Sequence, residues 1–318
     1  MTDTAPPRAV FRTADAATGF TAAYDAALAQ WPVAPEALDL PGDFGTTRVH
    51  RCGPQDGPPL VLLPGGGATS AVWSANVRAL ARTHRVHALD LMGDVGRSIH
   101  DGRAIRGAGD LMHWLDQVLD RLGLDRTHLC GHSYGAWIAL GFALHAPARV
   151  DRLVLLEPTA CFTGLRPGYL LHALPLLRPT AERLRGFYRW ETRGAALEPA
   201  WLELAARGAA DFRRTKVVMM RRPRAAALRA LTVPTLVLTA EHSRAHDVGR
   251  LAERARRLLP HAETAVLADT SHHSVPLRHP DAFDGLLLDF LGRPAGAART
   301  QGSVEGAGSR SRSGTSGQ

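Results

Sequence analysis

Lysine is almost missing from this 318-residue chain. Lys216 is the only one, so the formal charge of +8 is carried by arginine. An arginine-for-lysine bias in an alanine-rich sequence can reflect genome composition, and no nucleic-acid partner is expected from the charge alone. Cysteine is scarce: Cys52, Cys130 and Cys161 are odd in number, far apart and without CxxC or Cys/His spacing. A disulfide framework and a zinc site are thereby excluded, and a reducing compartment is implied. No uncharged apolar run approaches 18 residues, and the N-terminal stretch MTDTAPPRAVFRTADAATGF lacks the apolar core of a signal peptide. These absences predict a cytoplasmic protein without stable membrane association, while its oligomeric state stays open.

What remains is ample core material: 45% of the residues are hydrophobic. Short apolar runs recur at Thr46–Cys52, Leu60–Leu63, Arg85–Leu89, Thr127–Cys130, Arg152–Leu156, Pro234–Ala240 and Thr264–Leu267, and the later ones are continuous rather than alternating. Continuous runs are how strands covered on both faces read. Helical periodicity fills the intervals, as in Asp110–Leu122, where Leu111, Leu115, Val118, Leu119 and Leu122 form one stripe before Gly123. Strand and helix in repetition predict an α/β fold with a mainly parallel central sheet flanked by helices.

The rhythm fails once, over residues 158–232, where leucines and aromatics recur without a convincing strand. A structureless loop of that length is improbable, so a helical insertion is expected. The resulting division is an N-terminal extension with a short helix (1–35), a core (36–157 and 233–293), the insertion (158–232) and a disordered tail rich in Gly, Ser and Arg (294–318). In the extension, Phe20, Tyr24, Leu28 and Trp31 fall on one face of a helix over residues 14–31.

The most informative residues are Gly131-His132-Ser133-Tyr134-Gly135, between the run THLC and the helical stretch AWIALGFALH. A G-x-S-x-G between strand and helix forces a sharp turn that exposes a strained serine at the sheet's carboxyl edge. Ser133 is therefore the candidate nucleophile. Such a hydroxyl needs a base and donors for the oxyanion. The loop Pro64-Gly65-Gly66-Gly67 after LVLL offers backbone N–H groups, assigned to Gly66 and Tyr134 with Gly67 as the alternative.

With LVLLPGGG, DLMGDVGRS, CGHSYGAW and TSHHSVPLRHP in this order, the chain resembles the α/β-hydrolase superfamily of esterases, lipases and C–C hydrolases, over about residues 46–292. The resemblance implies an α/β-hydrolase fold, with residues 158–232 as a lid after the sixth strand. It implies a Ser-His-acid triad cleaving a carboxylic ester or related acyl bond of a small molecule, with no metal or organic cofactor. Thioester or C–C hydrolysis on the same triad, or a non-catalytic small-ligand receptor, are the competing readings. In DLMGDVGRS, Asp90 and Asp94 read as structural.

The base falls on His272 or His273. Family prolines three and seven residues downstream match Pro276 and Pro280 when counted from His273, whereas the small residue preceding the base matches Ser271 when counted from His272. His273 is taken as the expected base. At the family's usual acid position, after PTLVLTA, stands Ser243, which cannot stabilise an imidazolium as a carboxylate does. Glu157, at the end of RLVLLE, is the expected acid because a strand tip holds a side chain better than a loop does, with Asp247 and then Glu241 as alternatives. His242 and His246 are read as solvated, and the cysteines as core fillers.

The charge has an address. Residues 158–232 hold thirteen arginines and Lys216 against five acidic residues, a net +9 that exceeds the whole chain's +8. A basic field there could steer an anionic substrate.

Overall fold

The computed structural model describes residues 10–213 and 218–294; the expected C-terminal tail from 295 onwards and the first nine residues lie outside it. Eight strands form one sheet: β1 (Glu36–Gly42), β2 (Gly45–Cys52), β3 (Pro59–Leu63), β4 (Arg85–Leu89), β5 (Thr127–His132), β6 (Val150–Leu156), β7 (Thr235–Ala240) and β8 (Ala262–Leu267), in the order β1-β2-β4-β3-β5-β6-β7-β8. All pairings from β4 to β8 are parallel, and β1 and β2 add an antiparallel hairpin at one edge. The sequence reading missed β1. Its side chains are mostly exposed, so EALDLPG carries little apolar pattern to announce a strand.

The apolar runs of β3 to β7 are buried on both faces, as read, whereas the run in the edge strand β8 is partly exposed, Val266 by 50%. Val61 and Leu63 of β3, with Leu153 and Leu155 of β6, enter one core layer. Leu60, Leu62, Val154 and Leu156 enter the layer on the opposite face. Helices cover both: α1 (Ala14–Leu28), α2 (Val77–Leu80), α3 (Ala108–Arg121), α4 (Tyr134–His145), α5 (Pro167–Ala173), α6 (Ala181–Glu191), α7 (Pro199–Asp211), α8 (Ala225–Ala230), α9 (Val248–Leu258) and α10 (Pro280–Leu291). Helices α5 to α8 occupy the interval between β6 and β7, where the helical insertion was expected. None of these described helices is long and apolar enough to cross a membrane.

Strand order reverses between β3 and β5, so the crossovers leave in opposite directions and a crevice opens at the carboxyl ends of these two strands. The glycine loop after β3 and Ser133 after β5 meet there.

Helix α1 is more than an appendage. Thr13 caps it by accepting from the Ala16 N–H, and Phe20, Tyr24 and Ala27 pack with Leu204 and Phe212 of the insertion. Residues 10–13 are tied down by a bridge from Phe11 to Phe212. The Tyr24 hydroxyl donates to Asp90 at 2.8 Å and lies 2.9 Å from His50 Nε2 and 3.0 Å from Ser70 Oγ. Asp90 also accepts the Ser70 N–H and hydroxyl and the Arg97 N–H. Asp90 thus ties α1 to the turn at Ser70 and to the loop after β4. Removing the hydroxyl by Tyr24→Phe strands buried acceptors and should cost about 1–3 kcal/mol, read as a lowered urea midpoint with an unchanged m-value.

Candidate active site

Ser133 sits at φ 52°, ψ −109°, a backbone conformation that L-residues rarely adopt. Its neighbours permit it. A Cβ on Gly131 would lie 2.3 Å from the Gly135 carbonyl oxygen, and one on Gly135 would lie 2.4 Å from that of Pro64. Only glycine lets α4 press this closely on β5 and β3. The Ser133 N–H donates to Leu156 O at 2.9 Å, which ties the turn to the end of β6.

From this turn the structure brings three side chains into one line. Ser133 Oγ lies 3.0 Å from His272 Nε2, and His272 Nδ1 lies 2.8 Å from Glu157 Oε2. An ionised carboxylate can only accept, so Nδ1 carries the proton and Nε2 is left to accept from the serine. Burial is the largest influence on both partners of the pair. It pushes the Glu157 carboxyl up and the His272 imidazole down, so His272 is neutral at physiological pH. A neutral imidazole facing a hydroxyl is the state a general base requires.

Glu157 is held at the tip of β6, itself at positive φ, by a ring of donors. Its Oε1 accepts the Ala240 N–H at 2.8 Å, and its Oε2 accepts the Ser243 hydroxyl at 2.6 Å as well as His272. The serine at the family's usual acid position thus donates to the Glu157 carboxylate at the end of the neighbouring strand. Asp247 caps α9 by accepting from the Arg250 N–H, and Glu241 accepts from the Asp269 N–H; both side chains have their partners away from the histidine.

His273 is not the residue facing the serine, and that expectation is corrected. Its ring packs among Tyr169, Phe187 and Tyr188. Its N–H donates to Glu191 Oε2 at 3.2 Å, and its Nδ1 lies 3.4 Å from the same oxygen. The two histidines stand in a turn closed by the Ser274 and Val275 N–H groups on the Ser271 carbonyl, and it presents His272, not His273, to Ser133. The count from Ser271, not the one from the prolines, picks out the ring that the structure places at Ser133.

Further residues support this geometry. His132 Nε2 donates to the His272 carbonyl at 2.8 Å, and Thr159 Oγ1 lies 3.1 Å from Ser133 Oγ. Glu191, the last residue of α6, is wholly buried and accepts the Ser271 hydroxyl at 3.0 Å, so the insertion grips the histidine loop. None of these three was read from the sequence, where nothing distinguishes them from ordinary turn or helix residues. Burial by itself would raise the Glu191 carboxyl, but the His273 hydrogen bond and charge, His272 and the Ser271 hydroxyl outweigh it and hold the pKa at about 2.

The glycine loop lies against the turn: a Cβ on Gly66 would stand 3.5 Å from Tyr134 Cβ. The Gly67 N–H donates to Asp94 at 2.8 Å, which takes it out of contention and leaves Gly66 and Tyr134 as the candidate oxyanion donors. His246, read as solvated, is fully buried beside His272 at a ring separation of 5.5 Å. Glu157, His246 and His272 each place a potential ligand atom within 4.8 Å of the others. A metal ion there would have to displace the Glu157–His272 hydrogen bond. All three cysteines are buried and free, and burial raises their thiols, Cys52 to about 11.

A nucleophile turn at a sheet's switch point, with a histidine and a strand-tip carboxylate behind it, defines a hydrolase of the α/β type. The model of the Alpha/beta hydrolase family matches residues 60–285, and the chain belongs to that family. It is 30% identical to the carboxylesterase YbfK of Bacillus subtilis over 88% of this chain and 96% of the relative. The crystal structure of that carboxylesterase superposes with a TM-score of 0.81, covering 87% of this chain and 98% of the other at 29% identity. A naproxen esterase (carboxylesterase NP) of the same organism gives a TM-score of 0.82 at 27% identity, covering 88% and 99%.

Because its pKa is depressed, ionised Glu191 stabilises the fold above the ordinary carboxyl value of 4.5, and that contribution is lost as pH falls towards about 2. Urea melts of wild type and Glu191→Gln should therefore converge in stability across this window. A difference independent of pH would contradict the assignment.

Proposed function

We propose that the protein is a carboxylesterase in which Ser133, His272 and Glu157 form the catalytic triad. The observation that carries this reading is the unbroken line from Ser133 Oγ through His272 to Glu157, at 3.0 and 2.8 Å. The Ser133 oxygen attacks the ester carbonyl carbon as its proton passes to His272 Nε2. The carbonyl oxygen takes the negative charge and accepts from the backbone N–H groups of Gly66 and Tyr134. Collapse expels the alcohol, which leaves with the proton from His272, and an acyl-Ser133 ester remains. Water then gives His272 a proton as it attacks this ester, and the carboxylic acid departs as Ser133 regains its hydrogen.

Glu157 keeps the Nδ1 proton in place and offsets the positive charge that His272 gains in each transition state. Residues 158–232 act as the lid, and their net charge of +9 draws small anionic esters towards the active site. Three free, buried thiols suit a reducing compartment, and a cytoplasmic location belongs to the same reading.

A fluorophosphonate probe should label the wild-type protein and leave Ser133→Ala unlabelled. Replacement of His272 by alanine should lower kcat by about 10³-fold or more, while His273→Ala should keep most of it. Equal losses in both histidine variants would remove His272 from its role. For an anionic p-nitrophenyl ester, kcat/KM should fall as salt rises, with no such fall for a neutral ester of the same length; matched responses would end the steering argument.

A further inference from the structure

Four leucines stand out of the protein in one short stretch. Leu170, Leu171, Leu174 and Leu177 are between 50% and 80% exposed, and they make up four of the seven large apolar side chains exposed among the described residues. They lie on α5 and the 3-10 turn Leu174–Leu177 that continues it. The other side of the same stretch faces inward: Tyr169, Ala173 and Leu176 pack on the core at helical spacing, and His172 stacks flat on Trp190 at 3.9 Å. An element apolar on both faces, with one face unburied, is out of keeping with a surface bathed only by water.

Along the chain, every formal charge between Glu157 and Glu182 is positive. Arg166 opens the stretch, and the Arg222 guanidinium reaches Gly164 two residues earlier. Arg178 closes it, and Arg183 donates to the Arg178 carbonyl at 2.7 Å. No acidic residue occurs between Glu157 and Glu182. Among the described residues, no ion pair engages Arg166, Arg178, Arg183 or Arg222. A second copy of this chain, docked by the same patch about a two-fold axis, would press these arginines against their equivalents. An anionic bilayer surface instead offers acyl chains to the leucines and headgroup oxygens to the guanidinium groups around them.

We propose that the 166–178 stretch is a reversible docking site for an anionic lipid surface. It holds the protein at the interface without spanning it. The inner face of the docked element lies beside the active site, the Tyr169 ring standing 5.9 Å from that of His272.

The test is co-sedimentation of the full chain with vesicles of phosphatidylcholine alone or mixed with phosphatidylglycerol, at low and high salt. The binding readout does not depend on the protein being an esterase, so the two proposals can fail separately. Wild type should sediment with the phosphatidylglycerol vesicles and be released by salt. Leu171→Glu/Leu174→Glu should lose this binding while keeping the wild-type far-UV circular dichroism spectrum and urea midpoint. Arg166→Gln/Arg178→Gln should bind more weakly by roughly fivefold for each arginine removed. Absence of binding, equal binding to both vesicle types, or undiminished binding by the leucine variant would overturn the proposal. So would a wild-type dimer that the leucine variant breaks, with no change in vesicle binding.

Discussion

Taking a carboxylate out of water costs several kcal/mol unless its lone pairs are filled, and Glu157 is wholly buried. The fold meets that cost with three donors of different origin: the Ala240 N–H at the end of β7, the Ser243 hydroxyl and the His272 imidazole. A carboxylate so held has no freedom to rotate away, and the histidine bonded to it inherits the restriction. The loop after β8 is fixed from three more sides. His132 holds the His272 carbonyl, Glu191 binds Ser271 and His273, and the Asn76 amide donates to the Pro276 carbonyl at 3.3 Å. Much of the chain thus serves to point one ring nitrogen at Ser133.

The same constraint gives Ser243 a purpose. In the family pattern the acid stands in the loop after β7; with Glu157 as the proposed acid it stands one strand earlier, and the loop position holds a short hydroxyl that donates to Glu157. A second carboxylate 2.6 Å from the first would leave like charges side by side. Serine fills the space and supplies a hydrogen bond instead.

The fold was legible because its main signals are local. Doubly buried strands read as continuous apolar runs, and the glycines of G-x-S-x-G are required by contacts of 2.3 and 2.4 Å that admit no side chain. The exposed edge strand β1 was missed for the converse reason, since it buries too little to carry a pattern. Within the site, Ser133, Glu157, Gly66 and Tyr134 could be nominated because strand ends and sharp turns fix directions. The choice between His272 and His273 turned on a single-residue register in a loop, where prolines counted downstream pointed to His273 and Ser271 upstream to His272, the ring that the structure places at Ser133. Glu191, Thr159 and His132 act through contacts that span up to 140 residues of chain, and no spacing in the sequence encodes such a meeting.

The central claim is that the acid comes from β6. It is tested most directly by comparing kcat for Glu157→Gln and Asp247→Asn on one p-nitrophenyl ester. With Glu157 as the acid, its variant should lose about 10³–10⁴-fold in kcat while Asp247→Asn stays within a few-fold of wild type. Near-normal turnover in Glu157→Gln, or a comparable collapse in Asp247→Asn, would contradict the account.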